Sequence, residues 1–203
     1  MKIAVLGAGN IGGTLGNKWL AAGHEVVFGV RNSQSPKTKA ALEQAGGKIN
    51  ATSVERAVQF GEVVLISVPW GAVADVVSTH AAGLAYKIIL DSTNNFGGPV
   101  INNLRVIKEK VPTAQLYRAF NSLGWEIFAD PQIGQEQADM FYCGPDDAER
   151  QVVDKLIAEV GVRPVWVGDN DRVVAVDNMG AMWISLVSQR GWARRRIAFK
   201  LIE

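Results

Sequence analysis

The chain has 203 residues, 48% hydrophobic and 20% charged, with a formal net charge of +1 and one cysteine. At this length one α/β domain buries roughly 70% of its unfolded surface, so no disulfide or metal staple is needed. The near-neutral charge excludes the footprint of a nucleic-acid or acidic-lipid binder, and no stretch approaches the ~20 apolar residues of a membrane span.

Apolar runs alternate with amphipathic segments from the start, the pattern of a doubly wound parallel sheet. Ile3–Leu6 reads as the first strand and not as a signal peptide, because glycines end the run early and a helix follows over Ile11–Ala22. Val26–Val30 is the second strand, Pro36–Ala45 a helix, Lys48–Ala51 a short strand, and Ser53 caps a small helix. Val63–Ser67, almost wholly apolar, suits a central strand covered on both faces. Ala72–Ser78 is expected to be helical, Lys87–Leu90 a strand, Val100–Lys110 a helix and Gln115–Phe120 a strand.

Beyond these, Met140–Cys143 reads as a strand, and Asp146 with Glu149 forms a capping-box signal for a helix closed by Gly161. Pro164–Val167 is a last strand, Val173–Gln189 an apolar helix and Trp192–Ile202 a basic-apolar tail. The expected fold class is α/β, a doubly wound parallel sheet over residues 1–168 with a short C-terminal helical extension over 169–203, in one continuous domain.

Gly7-Ala8-Gly9-Asn10-Ile11-Gly12 matches G-x-G-x-x-G, directly after a predicted strand and opening a helix inside a βαβ unit. Gly7 makes the tight turn, Gly9 admits a pyrophosphate, and Gly12 permits close helix–strand packing. The helix N-terminus offers free N–H groups and a positive dipole end to phosphates. At the end of the second strand, where NAD sites usually carry Asp or Glu, this chain has Arg31-Asn32-Ser33. A carboxylate would repel a 2′-phosphate, whereas Arg31 forms charge-assisted bonds to it, with Asn32 and Ser33 as neutral donors. NADP(H) is therefore the expected cofactor, and residues 1–168 are expected to form a Rossmann-type NAD(P)-binding domain.

Ligands of open parallel sheets sit beyond the carboxyl ends of the strands. The loops there read Ser67-Val68-Pro69-Trp70, Ser92-Thr93-Asn94-Asn95-Phe96 and Asn121-Ser122-Leu123-Gly124-Trp125. The first is expected to line the cofactor's ribose and one nicotinamide face; Asn121 is a candidate for the carboxamide. These loops hold no His, Lys, Glu or Tyr, although Asp91, Tyr117 and Arg118 lie near enough to be candidates for the pocket. Alcohol or ketone chemistry needs a proton donor beside the hydride, whereas exchange between two redox rings needs mainly alignment and dryness. No catalytic residue is assigned. His24 reads as a surface turn residue, neither histidine has metal-ligand spacing, and Cys143 reads as a buried inert thiol.

With these motifs in place, the chain resembles the NADPH:coenzyme F-420 oxidoreductase family and its bacterial NADP-binding relatives. The resemblance rests on the segments around Gly7–Gly12, Gly29–Ser33, Ser67–Trp70 and Ala119–Gly124. It implies NADP contacts from Gly9, Asn10, Ile11, Arg31, Asn32, Ser33, Ser67, Pro69, Trp70 and Asn121, and hydride transfer to a deazaflavin or flavin-like ring. It also implies a homodimer formed through the C-terminal region, while the single cysteine and the reading of the opening run as a strand lead to the expectation of a cytoplasmic protein. The acceptor side carries no transferable motif; a chelated metal is a further candidate, and the Arg194-Arg195-Arg196 run reads as a solvated helix face. An imine or carbonyl reductase of the pyrroline-carboxylate type and a non-catalytic NADP sensor are the competing readings.

Overall fold

The structure is a computed structural model and describes residues 1–191 and 195–202. The first half alternates strictly: β1 (Lys2–Leu6), α1 (Asn10–Ala21), β2 (Glu25–Gly29), α2 (Pro36–Gln44), β3 (Asn50–Thr52), α3 (Val54–Phe60), β4 (Val63–Ile66) and α4 (Val73–Leu84). There follow β5 (Ile88–Asp91), α5 (Leu104–Lys110), β6 (Gln115–Arg118) and α6 (Trp125–Ala129). The chain continues with the hairpin β7 (Gln132–Ile133) and β8 (Glu136–Gln137), then β9 (Asp139–Tyr142), α7 (Ala148–Glu159), β10 (Arg163–Trp166) and α8 (Val173–Arg190).

The main sheet has the order β3-β2-β1-β4-β5-β6, all parallel. Strand order reverses between β1 and β4, which opens the crevice where such folds bind ligands. Because side chains alternate along a strand, β1 feeds both layers: Ile3 and Val5 join the core beneath α1, α6 and α7, while Ala4 and Leu6 join that beneath α3, α4 and α5. β4 is buried at all four positions, as its apolar run requires. In the first layer, Trp19 is fully buried, packs edge-on to Phe120 at 5.8 Å and donates its indole N–H to the Leu156 carbonyl at 2.9 Å.

Several local expectations are corrected. The strands read near Met140 and Pro164 begin one residue earlier, as β9 and β10, and form a parallel pair of their own that meets β6 through a bridge between Arg118 and Cys143. The helix over 148–159 is capped by Asp147, whose side chain accepts from Arg150 N, while Asp146 instead pairs with Arg150 Nε at 2.8 Å. α5 begins at Leu104, four residues later than the apolar pattern suggested, because the preceding loop is pinned to Asp91 and Asp177. His24 is not a surface turn residue: it is buried and donates to Glu159 Oε2 at 2.7 Å. α8 ends at Arg190, and the described residues 195–202 are not helical but run back along β9, where Asp139 N donates to the Phe199 carbonyl at 2.9 Å. No helix among the described residues is long and apolar enough to cross a membrane.

Candidate functional site

At the carboxyl edge of the sheet, neighbouring hollows of about 600, 400 and 310 Å³ share Gly9 and Lys37 as common borders. The largest spans the β1, β2 and β4 ends. Gly7 and Gly9 form its floor, and Arg31 and Asn32 its far rim beside Ser35, Lys37 and Thr38. Gly7 holds φ +101°, and a Cβ there would stand 2.5 Å from the Ser67 carbonyl oxygen. Only glycine keeps β1 and β4 this close at the turn. A Cβ on Gly9 would meet nothing within 4 Å, so that side of the turn is open to a ligand.

α1 starts without a side-chain cap and without an acidic residue in its first turn. Its leading N–H groups lack intrahelical partners and aim toward the hollow's glycine edge, a fitted seat for an anion. Asn10 and Ile11 line the second hollow, whereas Gly12 faces the strand and serves packing. Asn32 partly organises its own loop: its Oδ1 accepts from Gln34 N at 2.9 Å and its carbonyl from the Thr38 hydroxyl at 3.3 Å. Ser33 is exposed and borders none of these hollows.

Sequence reasoning missed Lys37. The signal was available, since Ser35 caps α2 and Pro36 occupies its first turn, which puts the next residue on the same turn as the Arg31 loop. Arg31 and Lys37 together supply two cations to a hollow whose lining carboxylate is Asp75 of α4.

The second hollow joins Ser67, Pro69 and Trp70 to the loops after β5 and β6, and to Trp183, Ile184 and Arg195 from the C-terminal segment. Asn121 is 2% exposed; its Nδ2 donates to the Val176 carbonyl at 3.3 Å, and its buried Oδ1 has no partner among the described residues. A buried acceptor left this way is costly unless a ligand donor meets it. Trp70 presents a similarly unpartnered indole N–H.

The three ionisable candidates near these loops do not border the hollows. Asp91 and Arg118 are fully buried and paired at 3.1 Å, and the Tyr117 hydroxyl donates to Asp147, with burial holding its pKa well above the usual phenol value. Arg195, by contrast, is not part of a solvated helix face: it lies 5.2 Å over the Trp183 ring and 2.7 Å from Glu126. Arg196 pairs with Asp130, and Arg194 lies outside the described residues. Burial pushes the Cys143 thiol up to about 12, with no role at the site. No cluster of metal-ligating side chains occurs among the described residues.

A glycine turn on a helix without a side-chain cap, set at the strand-order reversal, is the geometry of a Rossmann-type fold. Residues 2–95 match the family described as NADP oxidoreductase, coenzyme F420-dependent, and three of the four segments that carried the resemblance lie within that stretch; Ala119–Gly124 lies beyond it. The rat (Rattus norvegicus) metalloreductase STEAP3 is 27% identical over 172 residues, covering 82% of this chain and 34% of that protein, so the chain spans about a third of that curated relative. The crystal structure of a candidate F420-dependent NADP-reductase from Arthrobacter sp. FB24 superimposes over 100% of both chains, with TM-score 0.87 and 23% identity. A reductive aminase from Aspergillus terreus, in complex with NADPH, matches 93% of this chain and 61% of its own, with TM-score 0.66 and 19% identity. The family matched over the first part of the chain is one of NADP-dependent oxidoreductases, the structural matches show the shared fold, and the acceptor is left undefined.

Proposed function

We propose that the chain binds NADP(H) across the first and second hollows and passes hydride between its nicotinamide and a second redox partner, a deazaflavin or flavin-like ring or a chelated metal. The single observation that carries the cofactor reading is the pairing of an open glycine turn with a cationic rim at Arg31 and Lys37. The N-terminus of α1 holds the diphosphate, with Gly9, Asn10 and Ile11 at its edge. Arg31 and Lys37 take the 2′-phosphate, with Asn32 beside them. Ser67, Pro69 and Trp70 flank the nicotinamide ribose and ring, and Asn121 Oδ1 accepts from the carboxamide N–H.

The bound nicotinamide supplies the hydride chemistry. What the chain contributes is alignment and exclusion of water, because the second hollow is walled by Trp70, Trp125 and Trp183, with Lys37 and Arg195 as its titratable groups. That lining supports transfer between two redox centres over reduction of a carbonyl, which needs an acid at the reacting oxygen. A cytoplasmic homodimer is part of the proposal: on α8, Val174 and Met182 are exposed, whereas Trp183 and Val187 are buried within the chain.

The test is titration calorimetry with NADPH and NADH, followed by NADPH oxidation assays with deazaflavin, flavin, ferric chelates and cyclic imines. Preferred binding of NADPH with turnover on a ring or chelate is expected. Turnover restricted to imines transfers the protein to the competing reductase class, and binding without any turnover makes it a sensor.

A further inference from the structure

Arg118 touches none of the hollows, yet its contacts decide which atoms face the second one. Its side chain is fully buried at the end of β6. Nη1 donates to the Thr93 carbonyl at 2.5 Å, to Asp91 Oδ2 at 3.1 Å and to the Asp91 carbonyl at 3.2 Å. Nε donates to Asp177 Oδ1 at 2.9 Å, and Nη2 donates to Asn94 Oδ1 at 2.6 Å. A guanidinium carries donors and no acceptors, so the Asn94 amide must turn its oxygen inward to meet it. The amide nitrogen then points the other way, and donates to the Asn121 carbonyl at 2.8 Å.

Asn121 needs such a hold. It follows Phe120, a bulky residue kept in the left-handed region at φ +61°, where the backbone is strained unless its surroundings impose the conformation. Phe120 is fixed on one side by Trp19 and Phe128. Asn94 and Val176 fix Asn121 on the other, and the side chain is left with its oxygen buried and unpartnered in the hollow. Asp91 and Asp177 are themselves tied down, by Thr93 N at 3.0 Å and by Asn102 Nδ2 at 2.6 Å, so the cation between them has one seat.

Resting on the proposed placement of the nicotinamide in the second hollow, we infer that Arg118 is a positioning residue for that ring. Acting through Asn94, it holds the Asn121 backbone so that Asn121 Oδ1 meets the carboxamide N–H. It touches neither cofactor nor substrate. A merely structural ion cluster would have the same burial, but its loss would weaken all ligands of the site alike.

The experiment uses the full chain and calorimetric titration with NADP⁺, with 2′-phospho-ADP-ribose (the same molecule without its nicotinamide) and with the 3-acetylpyridine analogue of NADP⁺, whose methyl ketone has no N–H. Asn94→Ala severs the link while leaving Arg118 and its two carboxylates in place, so the fold is kept. The variant should bind NADP⁺ about tenfold more weakly, the scale of one buried hydrogen bond, and 2′-phospho-ADP-ribose unchanged. The unaltered protein should bind the acetylpyridine analogue about tenfold more weakly than NADP⁺, and that difference should vanish in the variant. Arg118→Lys, which keeps the charge but loses the fork, should repeat the pattern. Equal losses on NADP⁺ and 2′-phospho-ADP-ribose, or no loss on either, overturn the proposal. Failure of the unaltered protein to bind both probes overturns the dinucleotide site itself, and this inference with it.

Discussion

A Cβ on Gly12 would stand 2.1 Å from the carbonyl oxygen of Gly7 and 3.0 Å from the Val5 side chain. The first and third glycines of the turn are thus in contact, and the first turn of α1 can lie against β1 only while position 12 has no side chain. Since the clash is with backbone, no rotamer relieves it. Gly12→Ala should cost about 1–3 kcal/mol of stability, as overpacked sites do, and should weaken NADP(H) because the helix end moves. Thermal melts with and without NADP⁺ check both; an unchanged midpoint and an unchanged ligand shift would refute the packing role.

Arg31 and Lys37 predict the cofactor preference. Each charge-assisted bond to a phosphate is worth roughly 1.5–3 kcal/mol, about one to two decades in affinity. Arg31→Ala and Lys37→Ala should each weaken NADPH by that amount and leave NADH almost untouched. Calorimetry reads the ratio directly, and equal loss of both cofactors would remove these residues from 2′-phosphate recognition.

Asp139 anchors the end of the described chain. Burial favours its neutral form, but Arg163 at 2.7 Å and the Leu201 N–H more than offset that, and its pKa is lowered. A carboxyl with a depressed folded pKa contributes stability above its unfolded pKa, and that contribution is lost as pH falls through the folded one. The tail's grip on β9 should hold at neutral pH and fail only well below pH ~4, the ordinary carboxyl range. Hydrogen exchange at residues 197–201 should show this loosening in acid, and Asp139→Asn should produce it already at pH 7. Protection in that variant equal to the unaltered protein would contradict the anchor.

Cys143, the lone cysteine, should be inert in the folded protein. With its pKa pushed up to about 12 by burial, the thiolate fraction at pH 8 is about one in ten thousand. A thiol reagent at pH 8 should label it only after denaturant unfolds the chain; rapid labelling of the native form would show the site to be open.

The sheet and its helices were legible in the sequence because two periodicities and a glycine turn agree from Lys2 to Arg118, and the cofactor edge of the site was legible with them. The second hollow was legible in part: the loops after β4, β5 and β6 were read as its lining, but its remaining wall comes from Trp183, Ile184 and Arg195, brought in by long-range packing that no local pattern records. Arg196 and Arg195 read alike as a solvated basic run, and only the fold separates a rim ion pair from a cation stacked on tryptophan. His24 was misread for the same reason: its partner, Glu159, lies 135 residues away. The Asp147 cap was misplaced by one residue because Asp146 and Asp147 carry the same side chain, and only the backbone conformation chooses between them.

Trp19, on the helix that opens with the glycine turn, is fastened from behind by Leu156 of α7 and by Phe120, both outside the stretch 2–95 that carries the family pattern. Rigidity at the phosphate seat is thus imported from late in the chain. A fragment ending near residue 95 would keep every diagnostic letter of the motif while exposing the full face of an indole to water. The part by which this protein is recognised is not a part that can stand alone.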